Sequence, residues 1–157
     1  MDPAVTVRRG WRAWALAAVL VATTTAATTT TGCGAAPASG PVDFPADPLA
    51  VLSSASGQFQ IAVRTSPRPL VKGVNTVQYV VTDPVTGDAI DGLDVTATPW
   101  MPSHAHGTGA RTLVDAQGAG VYQIGNVYFY MDGTWELRSA LASGAGTDTV
   151  IPSFDVP

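Results

Sequence analysis

Two histidines, His104 and His106, and two of the three methionines, Met101 and Met131, fall in two short segments. One reads Trp100-Met101-Pro102-Ser103-His104-Ala105-His106-Gly107, the other Tyr130-Met131-Asp132-Gly133-Thr134-Trp135. Imidazole nitrogen and thioether sulfur are donors that suit copper. Soft sulfur favours Cu(I), and imidazole serves both oxidation states. His104 and His106 stand two apart, so an extended backbone turns both rings to one side. Pro102 stiffens the approach, and Gly107 and Gly109 let the chain turn away. Met131 must then come from a neighbouring loop at the same end of the fold. Copper held by Met101, His104, His106 and Met131 is the cofactor this set implies. Zinc more often takes thiolate or carboxylate beside histidine. Asp132 supplies a carboxylate, so zinc stays an alternative. A blue-copper centre needs a cysteine ligand, and the one cysteine, Cys33, lies near the start of the chain.

The same residues have a plainer reading. Met131 and Trp135 suit a core beside a turn. His104 and His106 suit a loop whose polar side chains bond the backbone, with Trp100 covering the end of the fold. Other chemistry finds less support. Ser103, His104 and either Asp115 or Asp132 contain the residue types of a triad. However, no G-x-S-x-G elbow precedes a serine, and strand neighbours cannot face each other as nucleophile and base. No catalytic residue is assigned, and the chain is not expected to be an enzyme. Asp83, Asp88, Asp91 and Asp94 lack the spacing of a calcium loop and read as turn formers. Tyr122, Tyr128, Phe129 and Tyr130 read as core and sheet surface rather than a sugar-binding platform.

The elements that position these residues are strands. From residue 57 onward apolar residues recur with period two, the mark of half-buried strands. Phe59, Ile61 and Val63 share one parity; so do Val77, Tyr79 and Val81, and Leu93, Val95 and Ala97. Trp135, Leu137 and Leu141 form another set, and Val150, Phe154 and Val156 the last. Weaker strands fit 110–116 and 121–128. Pro67 and Pro69 end the first strand, since proline cannot donate to a ladder. Asp83-Pro84, Thr86-Gly87 and Asp132-Gly133 mark turns, and Gly118 and Gly120 separate two strands. No window shows a helical apolar stripe. The expectation is all-β: an immunoglobulin-like antiparallel β-sandwich of about seven strands, without the antibody-type cysteine pair.

Ahead of this domain lies a different composition. Arg8, Arg9 and Arg12 precede an apolar run over 14–22, too short for a ~20-residue membrane span. Thr30-Thr31-Gly32-Cys33 then resembles a lipobox, with Thr30 where leucine is usual. The pattern predicts a lipoprotein signal peptide over 1–32, lipidation at Cys33, and a flexible tether over 33–56 rich in Pro, Ala, Gly and Ser. The β-sandwich domain then occupies 57–157. The membrane, reached through this lipid anchor, is the first expected partner, and the place is the cell envelope, outside the cytoplasmic membrane. With charged residues at only 13% and a net charge of -4, the chain has no basic stripe for nucleic acid. From Cys33 onward only Arg64, Arg68, Lys72, Arg111 and Arg138 are basic, which makes that part more acidic still.

Taken together, Met101-Pro102-x-His104-x-His106-Gly107, Gly120-x-Tyr122 and Phe129-x-Met131-x-Gly133-x-Trp135-x-Leu137 resemble the YtkA-like domain of exported bacterial proteins. That family is similar to the periplasmic part of FixH-type proteins. The resemblance spans about 57–156. It implies an immunoglobulin-like sandwich and a link to copper handling and to respiratory oxidase assembly, with an envelope copper-receiving protein as a partner. It brings no catalytic residue. Two functions follow as alternatives: a copper-binding module of the envelope, or a scaffold module that docks on an envelope complex without metal.

Overall fold

The structure, a computed structural model, describes residues 42–157. The expected signal peptide, the expected lipidation at Cys33 and the first part of the expected tether lie outside the described residues. The described residues form ten strands in chain order. They are β1 (Ala50–Ser53), β2 (Gln60–Ser66), β3 (Gly73–Thr82), β4 (Asp94–Met101), β5 (His106–Gly107), β6 (Leu113–Gly118), β7 (Val121–Phe129), β8 (Gly133–Ser143), β9 (Gly146–Val150) and β10 (Ser153–Val156). One sheet has the order β1-β2-β3-β7-β6; the other runs β10-β8-β4-β5, with β9 also on β8. All pairings are antiparallel. The only helical element among the described residues is a 3-10 turn at Pro102–His104. No helix there is long and apolar enough to cross a membrane.

The expected all-β sandwich stands, and its core follows the period-two pattern. Ile61, Val63, Val77, Tyr79, Val81, Trp135, Leu137 and Leu141 are fully buried between the sheets. Three differences have local causes. The segment 33–56 was expected as tether, yet Ala50–Ser53 forms β1, pairing Ala50 with Val63 through Ser53 with Gln60. Half of this strand is exposed, so its apolar residues do not stand out from the Pro- and Ala-rich run around them. The expected last strand is split, because Pro152 cannot continue the ladder between β9 and β10. The strand β5 is only two residues long, too short to leave a periodic signal.

Polar groups fix how the sheets sit. The Tyr79 hydroxyl on β3 meets Ser139 Oγ on β8 at 2.8 Å across the core. Burial pushes that phenol far above its ordinary range, so it stays a neutral hydrogen-bonding group. The Tyr122 hydroxyl donates to Ile90 O at 2.9 Å and accepts from Leu93 N–H at 3.0 Å, pinning the crossover from β3 to β4.

Asp148 on β9 ties the chain before β2 to the second sheet. Its carboxylate accepts from Ser56 Oγ at 2.5 Å, Ser56 N–H at 3.1 Å and Thr149 N–H at 2.8 Å. The hydroxyls of Ser54 and Ser56, followed by the backbone donors, hold its pKa down at about 2, from an ordinary 3.8. The unfolded chain therefore binds this proton at a higher pH than the folded one. The stabilisation is full above pH ~4 and is lost as pH falls through about 2. Asp148→Asn is expected to cost ~1–3 kcal/mol at pH 7, the scale of hydrogen bonds to a charged group. It should also flatten the stability profile between pH ~4 and ~2. Urea unfolding of both proteins across that range checks it; parallel profiles would remove Asp148 as the cause.

Candidate metal centre

The four residues singled out in the sequence arrive at one end of the sandwich from two loops. Strand β4 ends at Met101, and Pro102 opens the 3-10 turn, where its missing N–H costs nothing. Ala105 follows in the left-handed region at φ 55°, its N–H bonding Pro102 O. The chain then doubles back as β5, pairing His106 with Met101 and Gly107 with Trp100. Gly107 allows this close return, because a Cβ there would lie 2.9 Å from Pro99 O. The histidines were expected to share a side by lying on one extended stretch. They do come together, but a tight turn brings them there: ring centroids are 5.6 Å apart and tilted 39°.

The second loop joins β7 to β8 through Tyr130, Met131 and Asp132. Met131 packs half-buried against the core, and its carbonyl accepts from the Trp135 indole N–H at 3.1 Å. Met101 is buried at 3% exposure, and its methyl lies against Gly133: a Cβ on Gly133 would stand 2.6 Å from Met101 Cε. The two methionine segments are therefore in contact. Gly133 also sits at φ +122°, where an L side chain is strained. Gly133→Ala is expected to cost ~1–3 kcal/mol, part as backbone strain and part by displacing the Met101 thioether. Thermal melting of the variant measures it, and an unchanged midpoint would contradict the strain argument.

The loops differ in exposure. His104 is exposed and His106 half-buried, whereas Met101 belongs to the core. An imidazole nitrogen sits about 2.0 Å from a bound zinc ion. The ring centroid is then about 3 Å from the ion, so two rings on one ion stand about 5–6 Å apart. The observed 5.6 Å falls in that interval. Copper, with a similar bond length, fits the same spacing. Among the described residues no three His, Cys, Asp or Glu side chains gather around a common point. The thioethers of Met101 and Met131, at the same end of the sandwich, are the further donors that the sequence pattern points to. Asp132, the carboxylate of the zinc alternative, does not gather with the two histidines; it is exposed and lies 3.8 Å from the Lys72 ammonium.

Two aromatic residues complete this end. Tyr130 stacks on His106 at 5.4 Å between centroids, with its hydroxyl 2.7 Å from Nδ1 and 2.9 Å from Nε2. Trp135 lies beneath, 6.3 Å from His106, 5.4 Å from Tyr130 and 5.3 Å from Phe129. The sequence places Tyr130 only within a group of aromatics that read as core and sheet surface. The signal that places it here is its adjacency to Met131 in the β7–β8 turn. Trp100 points to the outer face of its sheet, with the Arg138 guanidinium 4.5 Å above its ring, rather than covering the sandwich end.

The fold and this end together define a β-sandwich that carries two neighbouring imidazoles on one loop, with Met101 buried at its base and Met131 half-buried on the adjoining loop. The chain belongs to the YtkA-like family, whose family model matches residues 53–140. Among solved structures it is similar to a copper-bound variant of FetP from uropathogenic Escherichia coli strain F11. The identity is 9%, the TM-score 0.46, and the match covers 68% of this chain and 93% of that one. No curated protein sequence matches the chain.

Proposed function

We propose that the protein is a copper-binding module of the cell envelope, which holds the ion as cargo rather than turning over a substrate. The observation that carries this reading is the His104–His106 pair, with centroids 5.6 Å apart on an open turn. Beside it are the two methionine segments, in contact through Met101 and Gly133. His104 and His106 would supply imidazole nitrogens, and Met101 and Met131 thioether sulfurs, a set soft enough for Cu(I). An ion bound at an exposed turn can pass to another protein, which suits a metallochaperone that delivers copper for respiratory oxidase assembly. The receiving partner would be an envelope protein with its own copper ligands. Lipidation at Cys33 would keep the module at the membrane surface.

A second reading draws on a specific contact. His106 already has a protein partner in the Tyr130 hydroxyl, as an ordered cap on a scaffold module would. Cu(I) titration of the purified protein against a competing chelator separates the two. Binding that outcompetes the chelator at one ion per chain is expected for the copper module. No uptake leaves the scaffold.

A further inference from the structure

We infer that the seam between the two sheets holds a separate binding site, for a small molecule that carries a carboxylate on a short apolar body. The inference is independent of the copper reading, since no residue lining this site is a histidine or a methionine. A cavity of about 600 Å³ lies where β10 faces the end of β2 and the turn after it. That volume is within the ~300–1,000 Å³ of small-ligand pockets. β1 and β10 are end strands of their sheets, so among the described residues no further strand closes the seam. Leu49, Pro69, Leu70 and Phe154 supply apolar walls. Leu70 and Phe154 are buried, whereas Leu49 and Pro69 reach solvent.

Two polar groups on this lining lack what a ligand would bring. Thr65 shares the inward parity of Ile61 and Val63 on β2, is 1% exposed, and its hydroxyl has no hydrogen-bond partner. A buried hydroxyl left unpaired is costly, and rotation about one side-chain bond turns it toward an occupant. Arg68, at the exposed rim, donates to Asp47 O at 2.8 Å and pairs with no carboxylate among the described residues. A guanidinium has five N–H donors, so most of them remain for a ligand. Both groups can donate, and an ionised carboxylate is a group that only accepts. Asp155 also borders the cavity, but it lies opposite Thr134 on the outer face and accepts from that hydroxyl at 2.8 Å, so its charge is turned away from the interior. A carboxylate held by Arg68 and Thr65, with its apolar body against Leu70 and Phe154, answers both the unpaired donors and the uncovered wall.

The test is a titration of the metal-free protein with hexanoate, and with 1-hexanol as its uncharged counterpart, followed through backbone amide chemical shifts. Hexanoate should give saturable shifts at Thr65, Leu70 and Phe154, with a millimolar Kd or tighter, and none at His104 or His106. Arg68→Gln should weaken hexanoate binding ~10-fold, the scale of a hydrogen bond to a charged group, and 1-hexanol should lose as much. Thr65→Val keeps the shape and removes the hydroxyl. Its affinity for hexanoate should fall severalfold while its melting temperature holds or rises, because the unpaired group is gone. A hydroxyl with a purely structural role would not split the two readouts in this way. N-acetylleucine presents the same carboxylate on a peptide-like body: tighter binding than hexanoate makes the source a chain end, weaker binding a free acid. The absence of saturable shifts at these residues, or equal affinity for hexanoate and 1-hexanol, overturns the inference. Unchanged hexanoate binding in either variant does so too.

Discussion

The double variant His104→Ala/His106→Ala is expected to lose more than about 100-fold in Cu(I) affinity. Removing only an outer-shell partner of a metal ligand typically costs ~10–100-fold, and this variant removes two donors outright. What remains is a pair of thioethers, one of them on the core residue Met101 at 3% exposure. The fold should survive. Neither histidine belongs to the buried core, and no residue of the 3-10 turn carrying His104 is buried. The loss of the Tyr130–His106 hydrogen bond costs ~1 kcal/mol at most, the scale of an ordinary hydrogen bond. Chelator competition measures the affinity and thermal melting checks the fold. Met131→Leu complements this pair: it conserves volume in the packed loop and removes sulfur alone, so weaker binding there assigns the thioether as a donor. A double variant that folds and still binds like wild type would falsify the copper site.

The sequence made the sheets legible because burial alternates along them. Phe59, Ile61 and Val63, and Trp135, Leu137 and Leu141, share parity in the sequence and face the core in the structure. Short or two-sided elements escaped this logic. β1 alternates half-buried with exposed residues and has Pro48 just ahead of it, so it looks like tether. β5 has two residues, below the length at which periodicity exists. The histidine loop shows a different limit. Spacing alone favoured an extended run, whereas Pro102 at the first position of a 3-10 turn and Ala105 in the left-handed region made a hairpin. The two rings still converged, because β5 returns along β4. That Met131 shares their end depends on the β7–β8 crossover, and the side-chain contact through Gly133 comes from tertiary packing. The contact of Tyr130 with His106 was hidden for the same reason. A tyrosine at the end of a strand has no sequence signature for what its hydroxyl touches.

Trp135→Ala is expected to destabilise the protein by about 3–5 kcal/mol, the range for truncating a buried aromatic. Trp135 has no exposed surface and lies on β8, facing Phe129 of the opposite sheet at 5.3 Å. Phe129 in turn meets Phe154 at 6.1 Å, so the indole is one member of an aromatic cluster that fills this end of the sandwich. Alanine would leave a cavity bounded by rigid β-sheet, and sheets paired along β4, β8 and β10 have little freedom to collapse into it. The indole N–H is also the partner of Met131 O, so the β7–β8 loop loses its anchor at the same step. The cost therefore has a local part at the β7–β8 loop as well as a global one. Trp135→Phe separates them: it refills most of the volume but cannot donate to Met131 O. It should recover more than half of the stability lost in Trp135→Ala, while Cu(I) binding stays weaker than wild type because the methionine loop is no longer held. Urea unfolding at pH 7 gives the first quantity and chelator competition the second. A Trp135→Ala cost near zero would mean that the two sheets do not meet at this residue.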